Sequence, residues 1–210
     1  MFKRLTTLAL PIACLTLAAC DDSTSPESSL TAQEAASLAL ALDNASSSSV
    51  DAAQSGEGNA SLSPSGKPAL AVTTRTDEFD FSLPCPRGGT TALDGQSVFV
   101  MDTDQGFITL DVSASKGHTA CAFRTDQGVD VTVDGTIEFV AEREIREGLI
   151  AASNAHSGTL DFVTSDGKEG SCEIDFTTAF SLTTGSATRD IAGSVCGHSV
   201  DFSTTWTHAE

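Results

Sequence analysis

Val129-Asp130-Val131-Thr132-Val133 alternates apolar with polar residues, and Cys172-Glu173-Ile174-Asp175-Phe176 repeats the pattern further along the chain. Successive side chains of a strand point to opposite faces, so a period of two marks a strand with one face buried and the other wet. The same period recurs in Phe79-Asp80-Phe81-Ser82-Leu83, Ile108-Thr109-Leu110-Asp111-Val112, Ile137-Glu138-Phe139, Leu160-Asp161-Phe162 and Val200-Asp201-Phe202. In most of these runs the outward residue is Asp or Glu, which puts acid on the solvent face and discourages edge pairing between molecules.

Turn residues fall between the runs. Asp166-Gly167 suits a tight hairpin, and the quartets Thr103-Asp104-Gln105-Gly106 and Thr125-Asp126-Gln127-Gly128 suit turns ending in a left-handed residue. The quartets lie 22 residues apart, which suggests a duplicated hairpin unit. About eight to ten short strands without a convincing helix predict an all-β domain over residues 77–210, built as a single antiparallel meander. Open curled sheet and small barrel both remain compatible with the pattern.

Upstream the text changes. From Asp21 to Thr76 the chain is rich in Ser and Ala and holds no aromatic residue, a composition that reads as a flexible tether. One piece departs from it. Thr31-Ala32-Gln33-Glu34 has the spacing of a helix-opening capping box, with Leu38 and Leu42 one turn apart, so a short helix is expected over 31–44.

The chain opens on Met1, Phe2, Lys3 and Arg4, followed by a mostly apolar stretch from Leu5 to Leu17 and then Ala18, Ala19 and Cys20. A helix over that stretch would rise only about 20 Å, less than the roughly 30 Å hydrocarbon core, so an export leader over 1–19 fits better than a membrane span. Leu17-Ala18-Ala19-Cys20 resembles the lipobox of bacterial lipoproteins, which implies lipid on Cys20 and cleavage in front of it. Cys14 competes poorly, because Pro11 stands where the motif has Leu. The expected location is therefore the cell envelope, lipid-anchored to a bacterial membrane and facing the periplasm or the exterior. Asp21 resembles the inner-membrane retention signal of some bacteria. Two or three acyl chains hold far more firmly than one.

Loss of Lys3 and Arg4 with the leader leaves 9 of the 11 basic residues against all 29 acidic ones, a net charge of −20. Such a surface excludes nucleic acid and anionic head groups as partners, and leaves room for a cation or a basic envelope protein on the acidic face.

Four cysteines remain in the β domain, Cys85, Cys121, Cys172 and Cys196, and an even number in an exported chain reads as two disulfides. Sequence neighbours are spatial neighbours in a meander, which favours Cys85 with Cys121 and Cys172 with Cys196. Cys85-Pro86-Arg87-Gly88-Gly89, Ser171-Cys172 and Gly193-Ser194-Val195-Cys196-Gly197 resemble the pattern of a group of uncharacterised bacterial lipoproteins over residues 79–202. That resemblance implies no activity and carries over no catalytic residue.

His118 stands near Cys121 and His198 near Cys196, but the spacing is not that of a zinc knuckle pair, and His156 and His208 lack a sequence partner. Asp102-Thr103-Asp104-Gln105-Gly106 begins like a calcium loop, with its glycine one position early and Ser113 in place of the terminal Glu. Asp161 and Asp175 are placed to face each other across the hairpin at Asp166-Gly167 as an acid and base pair; a solvated face is the simpler reading. No hydrolase or phosphate-binding motif and no cofactor motif is present. The function expected is a non-enzymatic structural or interaction module of the envelope. The alternative is a lipocalin-like carrier of a small apolar ligand, which needs an apolar pocket of about 300 Å³ or more; the many small residues of the strands favour a filled interior.

Overall fold

A computed structural model describes residues 30–55 and 72–207, with side chains from 48 to 55 left aside. The leader, Cys20, the stretch 56–71 and His208 lie outside the described residues. Helix α1 (Ala32–Ser55) precedes eight strands: β1 (Val72–Pro84), β2 (Thr90–Asp102), β3 (Phe107–Arg124), β4 (Asp130–Arg146), β5 (Leu149–Thr164), β6 (Glu169–Thr183), β7 (Ser186–Val195) and β8 (His198–Thr207). Every strand pairs antiparallel with its sequence neighbour in one sheet of order β1 to β8, with no pairing between the two edge strands. The chain is an all-β meander in an open sheet.

The strands are longer than the sequence pattern suggested, 18 residues in β3 and 17 in β4. Val129–Val133 and Ile137–Phe139 belong to one strand, because Gly135 is accommodated mid-strand with φ +128° rather than turning the chain back. The strand domain also begins at Val72, not at residue 77: Val72 to Thr76 pair with Asp102 to Val98, so this β-branched, non-alternating start is sheet and not tether.

Hairpin turns form at the predicted places. Asp166-Gly167 closes β5 onto β6, with Gly167 at φ +89°. The quartets at 103 and 125 close turns at the two opposite ends of β3, so they are not copies of one hairpin unit. Cys196 and Gly197, at φ +54° and +76°, form the two-residue link between the paired Val195 and His198. Positive φ at both positions matches the turn whose twist suits a hairpin.

The capping box is present. Glu34 N–H donates to Thr31 Oγ1 at 3.3 Å, and Thr31 N–H donates back to Glu34 Oε2 at 2.8 Å. The helix does not stop at 44, however, but runs 24 residues to Ser55. No Gly or Pro interrupts residues 32–55. At Ser46 the weak helix preference of the serine run is offset by burial against the sheet, where its hydroxyl meets Lys116.

α1 fixes the sheet's shape. It packs against β3 on one side and against β7 and β8 on the other. In a flat sheet β3 and β8, five strands apart, would be separated by about 24 Å, more than twice the roughly 10 Å width of a helix. The sheet therefore curls around α1. Leu30, Ala35, Leu38, Ala39 and Leu42 join Phe123, Val131, Ile137, Leu160, Phe162, Ile174, Phe176 and Ile191 in one core. Each leucine so buried contributes about 2 kcal/mol. What composition suggested was tether is, over residues 30–47, an interior element.

Candidate functional site

The inner face of the sheet is not uniformly apolar. Along β3 the even positions face inward, placing Lys116 in line with Leu110, Val112 and Ala114; along β5 the same rule turns Asn154 and His156 inward. Lys116 is fully buried and His156 is 1% exposed. From the helix side come Asp43, one residue beyond Leu42, and Ser46, both shut away from water. An unpaired charge at such depth would be strongly destabilising, so its partners define the site.

Asp43 is the centre. Its carboxylate accepts a hydrogen bond from Asn154 Nδ2 at 2.8 Å and from the Arg189 guanidinium on β7, which also donates to Asn44 Oδ1 at 3.1 Å. His156 Nε2 stands 3.7 Å from the same carboxylate, an ion-pair rather than a hydrogen-bond distance. Burial alone would raise the Asp43 carboxyl, but His156, Asn154 and the Arg189 charge outweigh it and hold it at about 2. The His156 ring stacks on Phe176 with centroids 4.5 Å apart, and Phe139 lies 5.2 Å away. Burial pushes His156 below the usual imidazole value, with Asp43 partly opposing.

Lys116 completes the cluster. Its Nζ donates to Ser46 Oγ, lies 5.2 Å from the centre of the Phe139 ring, and is brought down to about 7 by burial, with the Asp43 charge opposing. Ser46 Oγ in turn donates to the Leu42 carbonyl at 2.7 Å. A serine beside a lysine of lowered basicity resembles a nucleophile with its base. Here both are sealed beneath α1 and the hydroxyl proton is committed to the backbone, so the pair as folded acts as part of the latch that seats the helix.

A second polar cluster lies near the first disulfide. Cys85 is joined to Cys121, and Cys172 to Cys196, the pairing favoured by meander order. A bulge in β3 between His118 and Cys121, with Ala120 at φ +45°, points both of those residues inward. Thr91 Oγ1 bonds His118 Nδ1 at 3.0 Å and lies 3.2 and 3.4 Å from the two sulfurs. The ligand atoms of Cys85, His118 and Cys121 fall within 4.8 Å of one another. Disulfide sulfurs are not thiolates, so this trio offers a metal one imidazole and no sulfur anion. Burial holds His118 at about 4, further lowered by the Lys116 and His156 charges. His198 takes no part, its Nε2 donating to the Leu30 carbonyl at 2.8 Å.

The remaining candidates resolve simply. Asp102 Oδ1 accepts the backbone N–H groups of Asp104 and Gln105 at 3.0 and 2.9 Å, a turn rather than a calcium loop. Asp161 and Asp175 are not brought together: Asp161 is opposite Ser171 on β6 and Asp134 on β4, and Asp175 is opposite Ser157. On the outer face Glu78, Asp80, Asp94 and Glu138 border a shallow groove of about 700 Å³. No described helix is long and apolar enough to cross a membrane.

Sequence reasoning named the cysteines and noticed His156 as a solitary histidine. It missed Lys116, Asn154, Arg189, Asp43 and Ser46. The signal was present, since period two assigns Lys116 to the inner face. Comparison with protein-family models, with curated proteins and with solved structures finds no match to this chain.

Proposed function

We propose that this chain is a non-enzymatic module of the bacterial cell envelope, tethered by lipid on Cys20, that meets its partners through the acidic outer face of the sheet. The observation that carries this reading is α1 itself. Leu30, Leu38 and Leu42 pack into the curl as part of the core, and the outward row of Asp and Glu faces solvent. Two disulfides suit an oxidising compartment. The resemblance to envelope lipoproteins over residues 79–202 adds to it.

Two experiments test the reading. Cys20→Ser should leave uncleaved or soluble material, whereas Cys14→Ser should change nothing; normal processing and membrane fractionation of the Cys20 variant would refute the tether. Photo-crosslinkers placed at Asp80, Glu138 and Asp175 on the outer face should give discrete adducts in whole cells, and crosslinkers at Ile174 and Ile191 should not. Absence of any adduct from the outer positions would count against the interaction module.

A second reading, an exchange carrier, is favoured by one specific observation. Two strands, β5 and β7, bring Asn154, His156 and Arg189 to a single carboxylate that the helix supplies.

A further inference from the structure

We propose that the inner face beneath α1 is a binding site for the carboxylate of a long-chain fatty acid, and that α1 is its resident competitor, with Asp43 standing where the ligand's head group would lie. This rests on the carrier reading and names its ligand class.

The division of roles between sheet and helix is the first support. Around Asp43 the strands contribute donors and positive charge, from Lys116, Asn154, His156 and Arg189, while the helix contributes the acid. A sheet that needed only to seat its own helix could do so with apolar side chains. Donors from β5 and β7 on one monoanion, with the Lys116 amine of β3 close enough to feel its charge, match a carboxylate.

Unused capacity is the second. Thr178 Oγ1 and both His156 ring nitrogens are buried without a hydrogen-bond partner among the described residues. Orphaned buried donors are uncommon in folded proteins. The helix thus satisfies the pocket incompletely, as a substitute would.

The surroundings supply the third. Leu110, Val112, Phe139, Ile174, Phe176 and Ile191 line the inner face about the polar cluster, an apolar trough with charged donors at one place. That is the profile of an amphipathic monoanion; a phosphate or dicarboxylate would bring charge with no partner in the trough. The helix makes no backbone pairing with the sheet, so its withdrawal would break no strand ladder.

The test uses the full chain with Cys20→Ser, which keeps the fold's residues and avoids detergent. Dodecanoate below its micellar concentration is titrated in, with binding read by native mass spectrometry and α1 by amide hydrogen exchange over 32–47. One dodecanoate per chain and faster exchange in α1 are expected. Asp43→Asn, which weakens the competitor, should tighten binding at least tenfold. Arg189→Gln and Lys116→Met should each weaken it at least tenfold; Arg189 is part-exposed, so its variant tests the idea even where Lys116→Met alters the core. Dodecanol binding as tightly as dodecanoate would overturn the carboxylate site while leaving the carrier reading standing. Failure of both ligands, with wild type and with Asp43→Asn, would overturn both. Binding that leaves α1 exchange unchanged would place the ligand elsewhere and refute the competition.

Discussion

Asp43 on α1 and Arg189 on β7, 146 residues apart in sequence, form a part-buried ion pair that ties the helix into the curl of the sheet. Arg189 binds one oxygen of that carboxylate and Asn154 the other, so removing the acid takes a partner from both donors at once.

Asp43→Ala should therefore cost about 3 kcal/mol, the penalty for breaking a largely buried pair and leaving the buried Asn154 amide without its acceptor. The loss should be local first. Amide exchange across residues 32–47 should rise well before the sheet amides of β4 and β5 respond. Unchanged protection of the helix in this variant would show that Leu38 and Leu42 hold it unaided.

Lys116→Met should stabilise the protein, by on the order of 3 kcal/mol at neutral pH, because the wild type keeps an amine out of water with its ordinary value of 10.5 brought to about 7. Between those two pH values the unfolded chain binds more protons than the folded one, so wild-type stability should rise with pH from about 7 to 10.5. Below pH 7 both states carry the proton and the penalty is complete. Urea titrations of wild type and Lys116→Met should accordingly diverge most below pH 7 and converge towards pH 10.5. A pH-independent gap would assign the effect to packing.

Asp43 gives the opposite limb. Its carboxyl is held at about 2 against 3.8, so the stabilisation it provides is complete above pH 3.8 and is lost as pH falls from there towards 2. Acid unfolding followed by near-ultraviolet circular dichroism should show a transition in that window that Asp43→Asn removes. His118, held at about 4 by burial, adds a term that is lost as pH falls from 6.5 to 4, and His118→Phe should remove that higher step.

The disulfide Cys172–Cys196 spans 24 residues and Cys85–Cys121 spans 36. Replacing either pair by serine should lower stability by about 3 to 4 kcal/mol in the chain-entropy model. Non-reducing peptide mapping of the oxidised chain checks the pairing directly. Crossed peptides linking Cys85 to Cys172 would contradict the register of the sheet.

Period-two alternation made the meander and its acidic outer face legible, since each strand carries its own record of which side is wet. Nearest-neighbour topology then made the cysteine pairing legible. The helix was half legible: the Thr31 and Glu34 cap is a local signal, but its continuation past residue 44 through a serine run of weak helix preference is not one that local propensity encodes. The polar site was illegible for a related reason. Asp43 and Arg189 each look like solvated charges in their own segments, and although period two turns Lys116 inward, only the curl of the sheet brings the three together. Strand lengths were not legible because Val129–Val133 and Ile137–Phe139 read as separate alternating runs, whereas they are one strand through Gly135, and Gly158 likewise sits inside β5.

The glycines inside strands yield a final prediction. Gly158 has φ +146°, and a Cβ added there would lie 2.9 Å from both Ile137 Cα and Thr136 O on β4. Backbone cannot move aside as a flexible side chain can, and an L-residue is strained at that φ. Gly158→Ala should thus destabilise the protein by about 3 kcal/mol. Gly117 provides the control: it also sits inside a strand, but its backbone is not left-handed and an added Cβ meets nothing nearer than Thr136 Oγ1 at 3.9 Å. Gly117→Ala should be neutral or stabilising by about 0.5 kcal/mol, through loss of unfolded-chain entropy. Equal effects of the two substitutions in urea titrations would mean that close strand approach at Gly158 does not set the curl. A large selective loss at Gly158, with α1 losing exchange protection in the same variant, would tie the backbone of β5 at Gly158 to the seating of the helix.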